Sequence, residues 1–266
     1  MSILLIADNP IGSSLRGSES NDAIIHAELG CDFQTCQEFN EKPQVADKYI
    51  VSNFASLSHD SQEILMARGN YSITHHDFLI TPCRDPGAFP GFKVPPEHLI
   101  NQEFIKNATV NYVQSKLQLH IFQLNEIEGN FDNLAGNLWT RASLEMMVKF
   151  GENPKNGRAA IMDDPYKGPE EAVDFCRVNQ IPFDILPKMG YFDFLEKLST
   201  YTAFILKNRV VETLNRVLLE AKIMNILPLT TQYCGAVHED LWNYNGEELA
   251  DKLNEKRDEI LKKLAN

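Results

Sequence analysis

The chain has 266 residues, of which 43% are hydrophobic and 23% charged, an ordinary globular composition that excludes a disordered, collagenous or coiled-coil protein. At roughly 100–200 residues per domain, this length allows one large domain or two compact ones. The net charge of -12 excludes a general attraction to phosphate groups, so that contact with nucleic acid or lipid requires a local patch.

The sequence begins with an apolar run, residues 2–7, that predicts a first strand and not a signal peptide, because it has no basic segment before it and no small-residue cleavage site after it. No apolar run approaches the roughly 20 residues of a transmembrane helix. We therefore expect a cytoplasmic protein. The five cysteines contain no CxxC pair, which favours free thiols over zinc or disulfides.

Short β-branched runs alternate with helix-like stretches along the whole chain. In the first half, strands are predicted at 3–7, 48–52, 71–75 and 109–113, with helices at 20–29, 58–68 and 116–125. In the second half, strands are predicted at 158–162, 182–186, 201–206 and 228–231, with helices at 168–179, 191–199 and 213–225. This alternation is typical of βαβ units. The sequence predicts an α/β protein with two Rossmann-like, doubly wound parallel-sheet domains.

Turn-forming residues divide these predicted domains. Residues 1–135 form the predicted N-terminal domain, and 136–157, rich in Gly, Asn and Pro, form a linker region. A second domain follows at 158–245, and 246–266 has the apolar spacing of a closing amphipathic helix. The irregular segment 80–96 is too long for a simple connector, and such loops are usually functional or disordered.

The most informative segment combines Glu212 with Glu220. Glu212 stands where a predicted strand has ended and a helix begins, whereas Glu220 lies among apolar residues of that helix. A buried carboxylate requires hydrogen-bond donors, which the hydroxyls of a ligand would supply. The predicted helix start at 213–215 would offer free N–H groups to an anion. A phosphate on these N–H groups, with sugar hydroxyls on the two glutamates, would describe a nucleotide sugar.

Glu212 and Glu220, eight positions apart, match the E-x7-E motif of retaining GT-B glycosyltransferases. The chain resembles the family 4-like group of these enzymes. Its compact length is similar to that of viral and phage members, and a viral source would place the protein in the host cytoplasm. Tyr166-Lys167-Gly168 opens a helix after a strand, where that family has a Lys-Gly pair. The resemblance implies that Lys167 binds the donor diphosphate. It further implies donor contacts from the following residues: Gly17, Gly168, Arg209, Thr213, Leu214, Asn215, Arg216 and Glu220.

The resemblance implies that the anomeric configuration of the sugar is retained and that Glu212 lies in the catalytic centre. It also implies a UDP-sugar as the donor, from which a hexose or pentose is transferred in a cleft between the domains. No cofactor or metal is expected, because the leaving diphosphate would be stabilised by Lys167, an arginine and backbone amides. The family's usual arginine before the Lys-Gly pair is absent, which leaves Arg209 and Arg216 as alternatives.

In the first half, Leu15–Glu19 resembles the family's glycine-rich loop, and residues 74–77 fall where the family has a histidine. His75 and Asp77 are the catalytic candidates. Adjacent strand residues point to opposite faces, so that one histidine is expected to pack inside and both cannot easily bind one metal ion. The candidates for acceptor binding are His76, Arg84, Phe89 and Phe92.

The sequence leaves the identity of the acceptor open. A soluble saccharide and a hydroxymethylated base in phage-type DNA are both considered, since Phe89, Phe92 and their flanking cations could hold a flipped base. Two other classes are also open: a nucleotide-sugar epimerase of the same architecture, and a non-catalytic nucleotide-binding module. The sequence leaves the oligomeric state undefined.

Overall fold

The computed structural model describes residues 2–13 and 17–266, and its contacts divide the chain into two units. The first unit comprises Met1–Leu138 and Lys256–Asn266, and the second comprises Trp139–Glu255. Leu15 and Arg16, in the segment that resembles a glycine-rich loop, lie outside the described residues.

The first unit contains a six-stranded parallel sheet, within the described residues, of order β2-β1-β3-β4-β5-β6. Its strands are β1 (Ile3–Ala7), β2 (Asp32–Thr35), β3 (Lys48–Ser52), β4 (Tyr71–His75), β5 (Val110–Val113) and β6 (Phe131–Asn133). Its helices are α1 (Gly17–Leu29), α2 (Cys36–Glu41), α3 (His59–Arg68), α4 (Gln102–Lys106) and α5 (Lys116–Leu124).

Hydroxyl side chains begin several of these helices. Ser58 accepts a hydrogen bond from the N–H of Ser61 at the start of α3, and Ser115 accepts one from Gln118 at the start of α5. Such side-chain oxygens satisfy N–H groups that have no partner inside the helix. Gly69, with φ 69°, ends α3 in the left-handed conformation that glycine adopts without steric cost.

The irregular segment predicted at 80–96 contains short 3₁₀ turns and is attached to the end of α5. Asn125 anchors it, because its side chain accepts a hydrogen bond from the Val94 N–H (2.7 Å) and donates one to the Phe92 carbonyl (2.9 Å). Lys93 donates to the Leu124 carbonyl. The segment is therefore a folded loop with a buried residue, Val94, at its base.

The second unit contains a four-stranded parallel sheet of order β10-β9-β7-β8, counted within the described residues. Its strands are β7 (Ala159–Met162), β8 (Phe183–Leu186), β9 (Ala203–Ile205) and β10 (Leu227–Leu229). Its helices are α6 (Arg141–Phe150), α7 (Pro169–Val178), α8 (Tyr191–Ser199) and α9 (Arg216–Ile223). Helix α6 occupies part of the stretch predicted as a linker, and its buried Leu144 and Met147 belong to the core of this unit.

The last helix, α10, spans Gly246–Ala265. Its residues up to Glu255 belong to the second unit, and those from Lys256 onward belong to the first. Among residues 2–13 and 17–266, no helix combines the length and the apolar character that crossing a bilayer requires.

Candidate functional site

The carboxyl ends of two neighbouring strands position the main cluster of candidate residues in the second unit. Strand β7 is followed by a 3₁₀ turn, Pro165–Lys167, and then by α7, whose first position is Pro169. Strand β9, its neighbour in the sheet, is followed by the segment that carries Arg209 and Glu212. Ligands of open parallel sheets bind at the carboxyl ends of the strands, so that this is the expected side of the sheet for a ligand.

Gly168 brings these two segments into contact. It has φ 62° and immediately precedes α7, and a Cβ atom built on it would lie 1.9 Å from the carbonyl oxygen of Lys207. The N–H of Lys207 in turn donates to the Lys167 carbonyl, and the N–H of Arg209 donates to the Tyr166 carbonyl. Glycine is therefore required at 168 for two reasons, the positive φ and the close approach.

The backbone of Glu212 is extended and pairs with the segment 233–235. Its N–H donates to the Tyr233 carbonyl (2.8 Å), and its carbonyl accepts from Gly235 (2.9 Å). The predicted helix start at 213 is therefore wrong, because the chain becomes helical only at Arg216, with Asn215 as the N-cap. Residues 213–215 therefore precede the helix, and they do not supply the first-turn amides that the sequence predicts for an anion.

An ion pair joins two of the predicted site residues. The Nζ atom of Lys167 contacts Oε1 of Glu212, and the two side chains are 22% and 17% exposed. Such limited exposure leaves the pair accessible to a ligand while reducing its screening by water. A cation and an acceptor for hydroxyl hydrogens are thus held side by side, next to the first turn of α7.

Glu220 is fully buried in α9 and accepts several hydrogen bonds on one oxygen. Trp139 Nε1 donates to its Oε1 (2.9 Å), the hydroxyl of Tyr191 donates to the same atom (2.7 Å), and Arg216 Nε lies 3.5 Å away. The other oxygen, Oε2, is buried without a hydrogen-bond partner among residues 2–13 and 17–266. Burial and the Glu220 charge both raise the pKa of Tyr191, which keeps its hydroxyl protonated as a donor.

The two candidate arginines have different surroundings. Arg209 is exposed and forms ion pairs with Glu170 and Glu171 in the first turn of α7. The Arg209 hydrogen bond lowers the pKa of Glu171. Arg216 is 12% exposed, and its guanidinium lies 4.5 Å from the ring centre of Trp139, beside Glu220. Arg216 is therefore part of the Glu220 cluster, whereas Arg209 neutralises acidic side chains at the surface.

A buried thiol lies under this site. The Sγ atom of Cys234 is 2.9 Å from Nδ2 of Asn208 and 3.1 Å from the hydroxyl of Thr230. Burial raises the pKa of the thiol to about 11. Cys234 is therefore a neutral packing residue that supports the backbone opposite Glu212.

In the first unit, the two adjacent histidines differ in environment, as the alternation along a strand predicts. His75 is buried against Phe54 and Phe122 and its Nε2 is 2.9 Å from Oδ1 of Asn111. Burial lowers the pKa of His75 to about 4, so that its ring is neutral. The predicted catalytic candidate His75 thus has the surroundings of a core residue.

His76 is half-buried and lines a small pocket in the first unit. Its Nδ1 atom contacts the side-chain amides of Asn21 (3.3 Å) and Gln114. The other polar side chains of this pocket include that of Asn137. No local sequence pattern indicated Asn21 or Gln114, because Asn21 lies in α1 and Gln114 directly follows β5, and both meet His76 only in the fold.

The remaining candidates of the first unit lie near the folded loop. Asp77 forms an ion pair with Arg84 and accepts a hydrogen bond from the Phe78 N–H (2.9 Å). Phe89 packs on His98, with ring centres 5.9 Å apart. Phe92 is half-buried and its carbonyl is held by Asn125, as described above, while Gly17 is the first residue of α1. Asp77 is therefore a charge partner of Arg84 in this structure.

Within the described residues, no group of three or more His, Cys, Asp or Glu side chains has the arrangement of a metal site.

Two residues that sequence analysis missed, Trp139 and Tyr191, contact Glu220 directly. Trp139 lies in the predicted linker and Tyr191 at the start of a predicted helix, so that neither carried a recognisable motif.

No protein-family model matches this sequence, and no curated protein matches it. Solved structures do share its fold. The glycosyltransferase HepE (Alr3699) of Anabaena, in complex with UDP and glucose, aligns over 100% of this chain and 91% of its own, at 12% identity and a TM-score of 0.53. AviGT4, a glycosyltransferase involved in avilamycin A biosynthesis, aligns over 97% and 88%, at 12% identity and a TM-score of 0.54.

A third structure is an alpha-glucosyltransferase in complex with UDP and a 13-mer DNA containing a HMU base. It aligns over 100% of this chain and 90% of its own, at 10% identity and a TM-score of 0.50. These structures are GT-B glycosyltransferases. The predicted fold class is therefore confirmed: the chain has two parallel-sheet α/β units that match the GT-B architecture.

Proposed function

We propose that this protein is a retaining glycosyltransferase, which moves a sugar from a nucleotide-sugar donor, with a UDP-sugar as the expected donor, to a soluble hydroxyl acceptor. The observation that carries the proposal is the Lys167–Glu212 pair at the carboxyl ends of β7 and β9. The shared GT-B fold supports it, as do the UDP complexes of HepE and of the alpha-glucosyltransferase.

In the proposed reaction, Lys167 binds the donor diphosphate and stabilises the charge that develops on it as the glycosidic bond breaks. Glu212 accepts hydrogen bonds from hydroxyls of the transferred sugar and holds that sugar in place for attack. The first turn of α7 adds N–H groups and the positive end of a helix dipole beside Lys167. This chemistry needs no divalent metal, since the protein supplies the positive charge itself.

Glu220 takes a different part in the proposal. Its Oε1 atom is shared by Trp139 and Tyr191, while its Oε2 atom is free to accept a hydroxyl hydrogen of the nucleotide. Because Glu220 is fully buried, such contact requires the side chains that cover Oε2 to move. Arg216, which stacks on Trp139, is the candidate for the second cation, because it lies beside Glu220, whereas Arg209 pairs with Glu170 and Glu171 at the surface.

The proposed reaction requires of the acceptor only a hydroxyl group that attacks the donor sugar. His76 is the proposed acceptor-binding histidine, because it is half-buried, whereas His75, which lines the same pocket, is 2% exposed and packs in the core. A saccharide and a hydroxymethylated base in DNA both carry a suitable hydroxyl. The alpha-glucosyltransferase bound to DNA supports the second class, while the net charge of -12 opposes a polyanionic acceptor.

Mass spectrometry of donor and acceptor tests the proposal. The protein is incubated with UDP- and GDP-sugars, alone, with simple saccharides and with DNA that contains hydroxymethylated bases. We expect donor hydrolysis or a mass gain on an acceptor, reduced about 100-fold in Glu212→Ala, the scale of losing one transition-state contact. Glu152→Ala, which removes an exposed carboxylate from the same unit, is the matched control and should keep full activity.

The other outcomes identify the alternatives. An isomerised donor sugar without any acceptor would make the protein an epimerase. UDP binding without consumption of any donor would make it a binding module. A product with inverted configuration at the anomeric carbon would overturn the retaining mechanism while leaving the transferase intact.

A further inference from the structure

The side chains around His76 determine which of its two ring nitrogens carries the proton. Asn21 is central, because its Oδ1 atom accepts a hydrogen bond from the Leu138 N–H (3.1 Å). An atom that accepts from an N–H must be the amide oxygen, so that the Asn21 group facing His76 is the NH2 group. That NH2 group donates to Nδ1 of His76 at 3.3 Å.

Gln114 reaches the same ring nitrogen. Its Nε2 atom contacts Nδ1 of His76, which thus receives hydrogen bonds from two side-chain amides. A histidine nitrogen that accepts cannot carry a proton, and in a neutral imidazole the proton is then on the other nitrogen. The surroundings therefore select the ring with its hydrogen on Nε2.

Gln118 fixes the backbone on both sides of the same histidine. It is fully buried, and its Oε1 atom accepts from the Gln114 N–H at 2.8 Å. Its Nε2 atom donates to the carbonyls of His75 (3.1 Å) and Asp77 (3.4 Å). One side chain thus ties the residue before His76, the residue after it and the backbone of Gln114 together.

We infer that Asn21, Gln114 and Gln118 are positioning residues, which hold His76 as the Nε2–H form so that it donates a hydrogen bond to an oxygen of the acceptor. Nε2 is buried in this structure, so that this contact requires the small pocket beside His76 to widen when the acceptor binds. This inference rests on the proposed function for the identity of that oxygen. It also defines what His76 does not do: with its proton already on Nε2, the ring does not remove the proton of the attacking hydroxyl through that atom. His76 therefore orients the acceptor and is not its general base.

Nitrogen NMR of the ring tests the inference without any substrate. The protein has 7 histidines, and the signals of His76 are identified by their loss in His76→Asn. We expect a pyridine-like Nδ1 and a pyrrole-like Nε2 at neutral pH. A pyrrole-like Nδ1, or two pyrrole-like nitrogens, in the wild-type protein would overturn the inference.

Two near-isosteric variants change the group that faces Nδ1. Gln114→Glu and Asn21→Asp each replace an amide donor by a carboxylate acceptor, and Asn21→Asp keeps the oxygen that accepts from Leu138. We expect the ring proton to move to Nδ1 in both variants. Gln123→Glu adds the same charge at an exposed position of α5 and should leave the His76 signals unchanged. Circular dichroism identifies a variant that fails to fold. In that case the ring nitrogen signals of the other variant test the inference.

Kinetics separate this inference from the proposed function. If the protein transfers a sugar, Gln114→Glu should raise the acceptor KM about 10-fold, the loss of roughly one hydrogen bond, and should change the donor KM less. Gln123→Glu should leave both KM values and donor hydrolysis unchanged. An unchanged acceptor KM in a variant whose ring proton has moved would overturn the positioning role. If the wild type consumes no donor, the proposed function fails, and the NMR result still decides which nitrogen is protonated.

Discussion

Lys167 and Glu212 form an ion pair although 45 residues separate them in the sequence, because the carboxyl ends of neighbouring strands β7 and β9 bring them together. In the absence of donor, each side chain is the charge partner of the other. A bound diphosphate would compete with Glu212 for the Lys167 ammonium group. The two residues should therefore affect the binding of UDP, which lacks the sugar, in opposite directions.

Lys167→Ala should weaken UDP binding about 10- to 100-fold, because a charge-assisted hydrogen bond contributes about 1.5–3 kcal/mol and 1.4 kcal/mol corresponds to about tenfold in affinity. Glu212→Ala should bind UDP as tightly as the wild type or more tightly, since it removes a negative charge near the diphosphate. Isothermal titration calorimetry measures both. Lys149→Ala, an exposed lysine of the same unit, serves as the control, and equal UDP affinity in Lys167→Ala and Lys149→Ala would contradict the assignment.

Gly168→Ala should destabilise the second unit, because the new Cβ would meet the Lys207 carbonyl oxygen at 1.9 Å in a backbone with φ 62°. We expect a loss of at least about 2 kcal/mol, the scale of a strained backbone position combined with a steric overlap. Urea denaturation followed by tryptophan fluorescence reports on this unit, since both tryptophans, Trp139 and Trp242, belong to it.

Gly157→Ala is the matched control for this substitution. Gly157 also has a positive φ, 75°, but a Cβ there would meet no atom within 4 Å. Its replacement costs about 1 kcal/mol for the left-handed conformation alone. Equal destabilisation by the two substitutions would show that the contact between Gly168 and Lys207 is unimportant.

The sequence predicted the regular elements better than the contacts between them. Strand β4 and helix α8 have the predicted bounds, because each is a local apolar pattern between turn residues. Helix α9 begins three residues later than predicted, since Glu212 pairs with Cys234 and keeps the backbone extended. That pairing joins residues 22 positions apart along the chain, and local periodicity contains no information about it.

In the candidate site, too, the sequence indicated individual residues better than the contacts between them. The spacing of Glu212 and Glu220 and the position of Lys167 were visible in the sequence, and the structure brings Lys167 to Glu212. The donors to Glu220 were not visible, because Trp139 and Tyr191 are ordinary core-type residues until the fold places their N–H and O–H groups on a buried carboxylate. Their roles therefore depend on tertiary contacts alone.

Tyr191→Phe should lower the stability of the second unit by about 1.5–3 kcal/mol, the contribution of a hydrogen bond to a charged group, because Glu220 is fully buried and has no solvent to replace the lost donor. In a Glu220→Gln background the same change should cost less, since the acceptor is no longer ionised. Tyr166→Phe is the control, as the Tyr166 side chain is 68% exposed. Equal urea midpoints for Tyr191→Phe and Tyr166→Phe would contradict this account.

Asp22 should make the first unit less stable as the pH rises. Burial raises the pKa of its carboxyl from 3.8 to about 7, and Glu19 and Asp8 add to the shift while a hydrogen bond from Ser52 opposes it. The folded state therefore holds a proton that the unfolded state loses near pH 4. The resulting stability is complete below about pH 4, and it is lost as the pH rises to about 7, by about 1.4 kcal/mol per pH unit.

Asp22→Asn keeps a neutral side chain beside Ser52 and should remove this fall in stability. The variant should be more stable than the wild type at pH 7.5, measured by urea unfolding followed by far-ultraviolet circular dichroism or by hydrogen exchange of the β1 and β3 amides. Asp32→Asn, at an exposed position of the same unit, is the control and should retain the wild-type pH dependence. A wild-type-like pH profile in Asp22→Asn would contradict the assignment.

His75 should act in the opposite direction, because burial lowers its pKa from 6.5 to about 4 and the folded state excludes a proton that the unfolded state binds. Its contribution is complete above about pH 6.5 and is lost as the pH falls to about 4. Between about pH 4 and 6.5, a rise in pH increases the stability contributed by His75 and decreases that contributed by Asp22. The free energy of unfolding of the wild type should therefore vary little with pH in this range. Asp22→Asn should then become less stable on acidification from pH 6.5 to 4, and His75→Gln more stable, which separates the two groups in one set of unfolding curves. A wild-type curve that already falls steeply toward pH 4, and a His75→Gln curve that falls equally, would show that another group titrates in this range.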